Sequence, residues 1–420
     1  MKKVKIGIFG LGRGMNYAKS FMLNNAEIVA LCERNVEKLN SAKAELNNEP
    51  TCYTSFDEFI KHDMDAVFLA NNFHEHAKYA IECLNRNIHV LSECTSNGTM
   101  AEGVALVRAA KKSKAIYMLA ENYPFMIFNK EMKRIAETKT LGKLIYAEGE
   151  YNHPVSKNDT DFAKIYIPYL KHWRNNLPAT YYITHSLAPL MYITGAKPIR
   201  VTATPVCCDD IFPNSFVCDK SAIITCLNDD KSVFKVSGCS AYGAHGNSYR
   251  FCGTQGQMEN VRGTDDKIML RYNDWDIPEG LEEINFYKPD WNDKDEELIK
   301  NSGHGGSDFI VARTFIDCII NNNKPPFDVF FSTTMASVAI LAHRSILNNG
   351  MPFDVPDFNN EEDCKKYEND YLTPFYGPNG EEPTVPSSSI TNHKPPQSTI
   401  DYYNKLTLEY NSKLKDGQVW

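Results

Sequence analysis

A chain of 420 residues exceeds what one hydrophobic core usually organises, so two domains are expected. A composition of 42% hydrophobic and 23% charged residues, with 22 Tyr and 22 Phe, is that of a globular protein and excludes disorder throughout. A formal charge of -8, with no Lys/Arg run longer than two residues, excludes the electrostatic footprint of a nucleic-acid binder.

Met1-Lys2-Lys3 runs straight into an apolar strand without a signal-peptide pattern, and no apolar run approaches the length of a membrane span. A cytoplasmic protein with no membrane partner is expected. The 12 Cys include no Cys-x-x-Cys pair, and Cys32, Cys83, Cys226, Cys239 and Cys318 sit in apolar stretches, as buried reduced thiols do. Adjacent Cys207 and Cys208 read as loop thiols near a strand end in preference to a redox pair.

Over the first ~120 residues short apolar runs alternate with amphipathic segments. Strands are predicted at 5–9, 27–32, 66–70, 89–92 and 116–120, with helices between them that include 75–84 and 100–111. This predicts an α/β fold whose first domain, residues 1–121, is a Rossmann doubly wound parallel sheet. Beyond it a helix at 128–137 precedes strands at 144–151, 199–205, 222–226, 233–239 and 249–253, the last ending in the turn Gly253-Thr254-Gln255-Gly256. Helices return at 307–320 and 332–347. Residues 122–355 are therefore read as an α+β domain with a largely antiparallel sheet. Residues 356–420 read as an irregular extension closing with an amphipathic segment at 402–410.

The first strand ends in Gly10-Leu11-Gly12-Arg13-Gly14-Met15. The first glycine permits a tight turn and the second lets backbone approach a pyrophosphate at a helix N-terminus, while the third falls one position early. Glycines at such a turn can also be purely conformational. Glu33, at the end of the second strand, has the place of a carboxylate that hydrogen-bonds the adenosine ribose and rejects a 2′-phosphate, which points to NAD. Arg34 beside it leaves NADP open.

Over roughly residues 1–355 these features resemble the Gfo/Idh/MocA oxidoreductases. Leu69-Ala70-Asn71-Asn72, followed by His74 and His76, resembles the family segment along the cofactor, and Ser92-Glu93-Cys94-Thr95 stands where the family usually carries Glu-Lys-Pro. The resemblance implies that Asn71 and His76 line the cofactor and that Glu93 contacts the nicotinamide ribose. Cys94 replaces the Lys that manages the substrate hydroxyl proton, which a thiol cannot do as a cation does. His74 and His76 also fit polar helix-start residues facing solvent.

The stretch Tyr182-Ile183-Thr184-His185-Ser186-Leu187-Ala188-Pro189 follows His172-Trp173-Arg174. Family dehydrogenases carry Asp-x-x-x-His here, and Tyr181 takes the Asp position. The pattern is similar to glycoside hydrolase family 109, the NAD-dependent α-N-acetylgalactosaminidases, whose equivalent reads Tyr-Pro-Thr-His. Glu121-Asn122-Tyr123, Gly149-Glu150-Tyr151-Asn152-His153 and Gly303-His304-Gly305-Gly306-Ser307-Asp308-Phe309 agree with that subgroup, which also lacks the Lys.

His185, Tyr182 and Tyr151 are thus the expected catalytic residues, and Glu121, His153, Trp173, Arg174 and His304 the expected substrate-binding ones. Gly10, Gly12, Arg13, Gly14, Glu33, Asn71, His76, Glu93 and Cys94 are expected at the cofactor. Each has a plainer alternative. His185 and His304 can serve only to start helices, Tyr181 can face the site in place of Tyr182, Glu121 can form a buried salt bridge, and Trp173 can be packing. Strand alternation lets only one parity line a pocket, and the resemblance selects Tyr151 with His153. His153, His172, His185 and His304 lack zinc-site spacing, so no metal is expected.

Three functions compete: a redox-neutral NAD-dependent glycosidase, a sugar or inositol dehydrogenase with net hydride transfer, and a non-catalytic NAD or sugar sensor. The expected partners are a sugar or glycoside and, by resemblance, further copies of the chain in a homo-oligomer formed through the open sheet face.

Overall fold

The computed structural model describes residues 3–46, 48–154, 167, 169–207, 219–238, 242–264, 266–391 and 395–414. Cys208, Cys239 and the last six positions lie outside them.

The first domain comprises β1 (Val4–Phe9), α1 (Leu11–Leu23), β2 (Ala26–Cys32), α2 (Val36–Glu45), β3 (Thr51–Tyr53), α3 (Phe56–Phe59), β4 (Ala66–Leu69), α4 (His76–Asn85), β5 (His89–Ser92), α5 (Met100–Lys112) and β6 (Tyr117–Leu119). Its strands are parallel in the order β3-β2-β1-β4-β5-β6. Strand order reverses between β1 and β4, which opens a crevice at their carboxyl ends, where ligands of such sheets bind. The middle strands are apolar throughout because helices cover both faces: Ile6, Ile8, Val67 and Phe68 are fully buried. Thr99 and Glu102 start α5 with reciprocal capping bonds.

The second domain follows through α6 (Ile127–Thr138), β7 (Leu144–Asn152), α7 (Thr184–Thr194), β8 (Pro198–Cys207), β9 (Asp219–Asn228), β10 (Val233–Ser237), β11 (Gly246–Gly253), β12 (Gly256–Asn260), β13 (Ile268–Tyr272), β14 (Ile284–Tyr287), α8 (Glu296–Lys300), α9 (Ser307–Asn321), α10 (Val329–Leu347) and β15 (Phe353–Asp354). The sheet order is β14-β13-β12-β11-β7-β10-β9-β8-β15, antiparallel except for the pair β7/β10. The inner face of β7 carries Ala147, Gly149 and Tyr151. A Cβ on Gly149 would lie 2.0 Å from the carbonyl oxygen of Ser186, so only glycine lets the start of α7 settle on the strand. That contact sets His185 above Tyr151.

One correction concerns α10. It is long and apolar enough to span a membrane by length and composition, contrary to the sequence expectation, and it is mostly buried between β8 and the first domain's α5 and β6. Its apolarity is that of a core helix joining the two domains.

The C-terminal extension contains α11 (Glu361–Tyr367) and α12 (Gln397–Asn411). It runs along α5, where Arg108 pairs with Glu368 at 2.7 Å, then inserts the buried Phe375 against Phe73, His74 and Tyr181. Ser389 meets Asp219 at the start of β9, and past α12 Leu414 bridges to Asn35 in the first domain.

Candidate active site

Glu121 follows β6 and is fully buried. Its Oε1 accepts from Nδ1 of His185 at 2.8 Å and from the Tyr123 amide at 3.1 Å, and its Oε2 accepts from the Cys94 thiol at 3.2 Å. Burial pushes this carboxyl up, but the imidazole, the thiol and the amide together hold it below the ordinary carboxylate range. An ionised carboxylate only accepts, so the proton between it and His185 belongs on Nδ1, and in the neutral ring Nε2 is then the acceptor. Cys94 supplies its hydrogen because burial, then the charges of Glu121 and Glu93, push its thiol well up.

Three tyrosines enclose His185. Tyr123 stacks on the imidazole at 4.1 Å, while Tyr151 and Tyr182 meet it edge-on at 4.9 and 5.3 Å. Tyr182 and Tyr151 are themselves 6.3 Å apart. Tyr181 is buried against Phe375 and His343, so Tyr182 is the one beside His185. His153 lies on the same strand face as Tyr151, ring to ring 5.8 Å, with its Nδ1 3.3 Å from that of His245. Burial lowers its imidazole, and His245, Arg174 and His185 lower it further.

The remaining expected substrate residues are placed differently. Trp173 is buried, stacked on Phe73 at 4.9 Å with the Arg174 guanidinium 4.3 Å over its ring, an arrangement of packing. His304 is partly exposed and binds Asp308 at 2.9 Å. Glu121, expected to hold substrate, lies against His185 with both its oxygens engaged by protein donors.

On the cofactor side, Gly10 has φ +91°, and a Cβ there would lie 2.3 Å from the Ala70 carbonyl oxygen. Gly12 and Gly14 lie in the first turns of α1, whose N-terminus has no side-chain cap. Glu33 reaches the same turn, its Oε2 3.2 Å from the Leu11 amide and 3.4 Å from Lys38 Nζ. Asn71, at the end of β4, buries a side-chain amide with neither atom hydrogen-bonded. A helix N-terminus without a side-chain cap of its own, a turn that excludes side chains and an unsatisfied amide in the crevice fit a dinucleotide. His76 is buried beside the Thr95 carbonyl at 2.8 Å, and burial pushes its imidazole down to about 4, so it is neutral.

Arg13 is held in a partly buried ion-pair network. Its Nε binds Glu93 at 2.9 Å, and its two terminal nitrogens hold Asp308 at 2.9 and 2.8 Å. Asn122 donates to the same Asp308 at 2.8 Å. Asp308, Tyr123, Phe73 and Phe375 were not expected at the site. The first two lie in quoted motifs, whereas the phenylalanines give no sequence signal beyond apolarity.

Fold and site together define an NAD-binding oxidoreductase. Residues 4–121 match the oxidoreductase family's NAD-binding Rossmann fold, and residues 221–364 match the glycosyl hydrolase 109 C-terminal domain. A glycosyl hydrolase family 109 protein of Bacteroides fragilis is 24% identical over 408 residues, covering 84% of this chain and 85% of that protein. Another from Shewanella pealeana is 23% identical, covering 85% and 86%. Among solved structures, levoglucosan dehydrogenase with NADH and L-sorbose superposes with a TM-score of 0.72 at 17% identity, covering 85% of this chain and all of that one. The aldose-aldose oxidoreductase of Caulobacter crescentus, complexed with glycerol, gives 0.66 at 19% identity, covering 84% and 99%. The chain is thus an enzyme whose first domain matches the Gfo/Idh/MocA NAD-binding domain and whose second matches the glycosyl hydrolase 109 C-terminal domain, and its cofactor is NAD.

Proposed function

We propose that this enzyme hydrolyses a glycoside by transient oxidation of a sugar hydroxyl, elimination of the aglycone, water addition and re-reduction. Bound NAD supplies the hydride acceptor at the start and the donor at the end, so none is consumed. The observation carrying this reading is the His185–Glu121 pair, because a carboxylate fixing Nδ1–H leaves Nε2 to take the hydroxyl proton and give it back. The ketone acidifies the neighbouring C2 proton, which Tyr182 removes as its phenolate, with Tyr151 beside it. The C2–H electrons form the C1=C2 bond as the C1–O bond to the aglycone breaks, and the proton taken up by Tyr182 passes to the departing oxygen, which restores the phenolate. Water then adds its hydroxyl to C1 and a proton to C2. Tyr151 and His153, on one strand face, orient the sugar.

The relatives named glycosyl hydrolase family 109 support this reading, as does Cys94: a protonated thiol committed to Glu121 does not replace the Lys of a family dehydrogenase. Nitrophenyl glycosides incubated in deuterated water without added acceptor test it. The expected products are nitrophenol and a sugar carrying deuterium at C2, with no accumulation of NADH and with sulfur-linked glycosides cleaved as well. Stoichiometric NADH with an intact glycosidic bond makes the protein a dehydrogenase. Tight sugar binding with neither product makes it a sensor.

A further inference from the structure

We propose that α12, near the end of the C-terminal extension, forms a wall of the NAD site across its adenosine half and sets how fast NAD leaves. The sheet order β2-β1-β4 places the turns after β2 and β4 on either side of the Gly10 turn, and a dinucleotide lies outside the carboxyl ends of these strands. The helix and the residues just past its end reach both turns. On one side Leu414 bridges to Asn35 and Lys413 lies 3.7 Å from Glu37, while the Asn35 amide donates to Glu33, the ribose-binding candidate, at 3.3 Å. On the other, the ring of Tyr410 packs 5.2 Å from that of Tyr169, a buried side chain hydrogen-bonded to Asn72 and close to Arg34. The Thr407 hydroxyl accepts from the Leu170 amide at 2.8 Å.

The attachment is of a kind that can open. The apolar side of α12 buries Tyr403 and Leu406 with Ile167 in a small cluster separate from both large cores. Such a cluster can release while the sheets stay folded. Closed, the helix confines the adenosine. Open, it frees the groove.

The inference rests on NAD being the cofactor and is independent of the glycosidase reading, because NAD release is measured without any sugar. The full-length variant Asn35→Cys with Leu414→Cys places two thiols at bridged backbone positions, where a disulfide can close. Release is followed by trapping departing NAD with a dehydrogenase that consumes it. Oxidation should slow release by about tenfold and reduction should restore it, while Tyr410→Ala with Lys413→Glu should speed it by about tenfold, each being roughly 1.4 kcal/mol. An oxidised, cross-linked protein that releases NAD at its reduced rate overturns the proposal. If the cross-link does not close, the Tyr410/Lys413 variant decides: release within about twofold of the parent overturns it.

Discussion

The hydroxyl of Tyr249 donates to the main-chain carbonyl of His185 at 2.5 Å. In a helix that carbonyl would accept from the residue four places on, which is Pro189 and has no N–H. Tyr249, buried on β11, takes over the missing bond and fixes the backbone of the proposed base. Tyr249→Phe leaves a buried acceptor unpaired and should cost about 1–3 kcal/mol, read by denaturant unfolding. Turnover should fall with NAD affinity unchanged. Unaltered stability would show that water or another donor replaces the phenol.

His185→Ala should lower the rate on the order of 10²- to 10⁴-fold with NAD still bound, as loss of a proton-transfer group does. Glu121→Gln should lower it on the order of 10²-fold by releasing the ring tautomer. The native-state carboxyl of Glu121 lies below its unfolded value of about 4.3. Its stabilisation is therefore present above that value and is lost as pH falls through the native one. The stability gap between parent and Glu121→Gln should be full at neutral pH and shrink below about pH 4. A gap of constant size down to pH 3 would mean that the carboxyl is not ionised in the fold.

Cys94 donates a hydrogen bond and carries no charge. Cys94→Ser, which keeps a donor near Glu121 Oε2, should retain most activity, and iodoacetamide should leave the buried, protonated thiol unmodified in the native protein. A loss of about a hundredfold in the serine variant would place the thiol in the chemistry itself.

Glu33→Ala should weaken NAD and improve NADP relative to it, as measured by titration of the cofactor-stripped protein. Glu33 also accepts from the Leu11 amide, so both affinities will fall somewhat. Equal losses would remove the ribose contact from consideration.

The outer face of the second sheet sets Tyr146, Val233 and Leu227 in one cross-strand row and Met269 beside Phe286 in another, with Phe286 61% exposed. We expect this face to join copies of the chain. Light scattering should show an oligomer that Leu227→Lys with Phe286→Asp dissociates. A parent that is monomeric at working concentrations refutes it.

The parallel strands of the first domain were legible because their apolar runs are bounded by glycines and polar turns, and the chain change at residue 122 was visible as successive strands. Strand β3, only Thr51–Tyr53 and nowhere fully buried, carries too little pattern to read. Strand β13 alternates buried Ile268, Leu270 and Tyr272 but, like the largely exposed β14, is short and flanked by polar loop-like residues. At the site, His185 and the tyrosines were legible as a motif. The direction of Glu121 was not, because a carboxylate after a strand reads alike whether it faces a ligand or a buried histidine. Phe375 comes from a stretch rich in Pro, Gly and Thr, and its burial between domains follows only from tertiary packing.

The pair Arg13–Asp308 joins residues 295 positions apart, from the cofactor turn to the start of α9, and both carboxylate oxygens of Asp308 are used. With both domains in place, Arg13→Ala would leave that carboxylate buried with no guanidinium against it, at a cost of about 3–5 kcal/mol. The boundary that divides the chain by ancestry therefore does not divide it by cooperativity: heated, the two sheets should melt in a single transition, and neither half should hold its native shape alone.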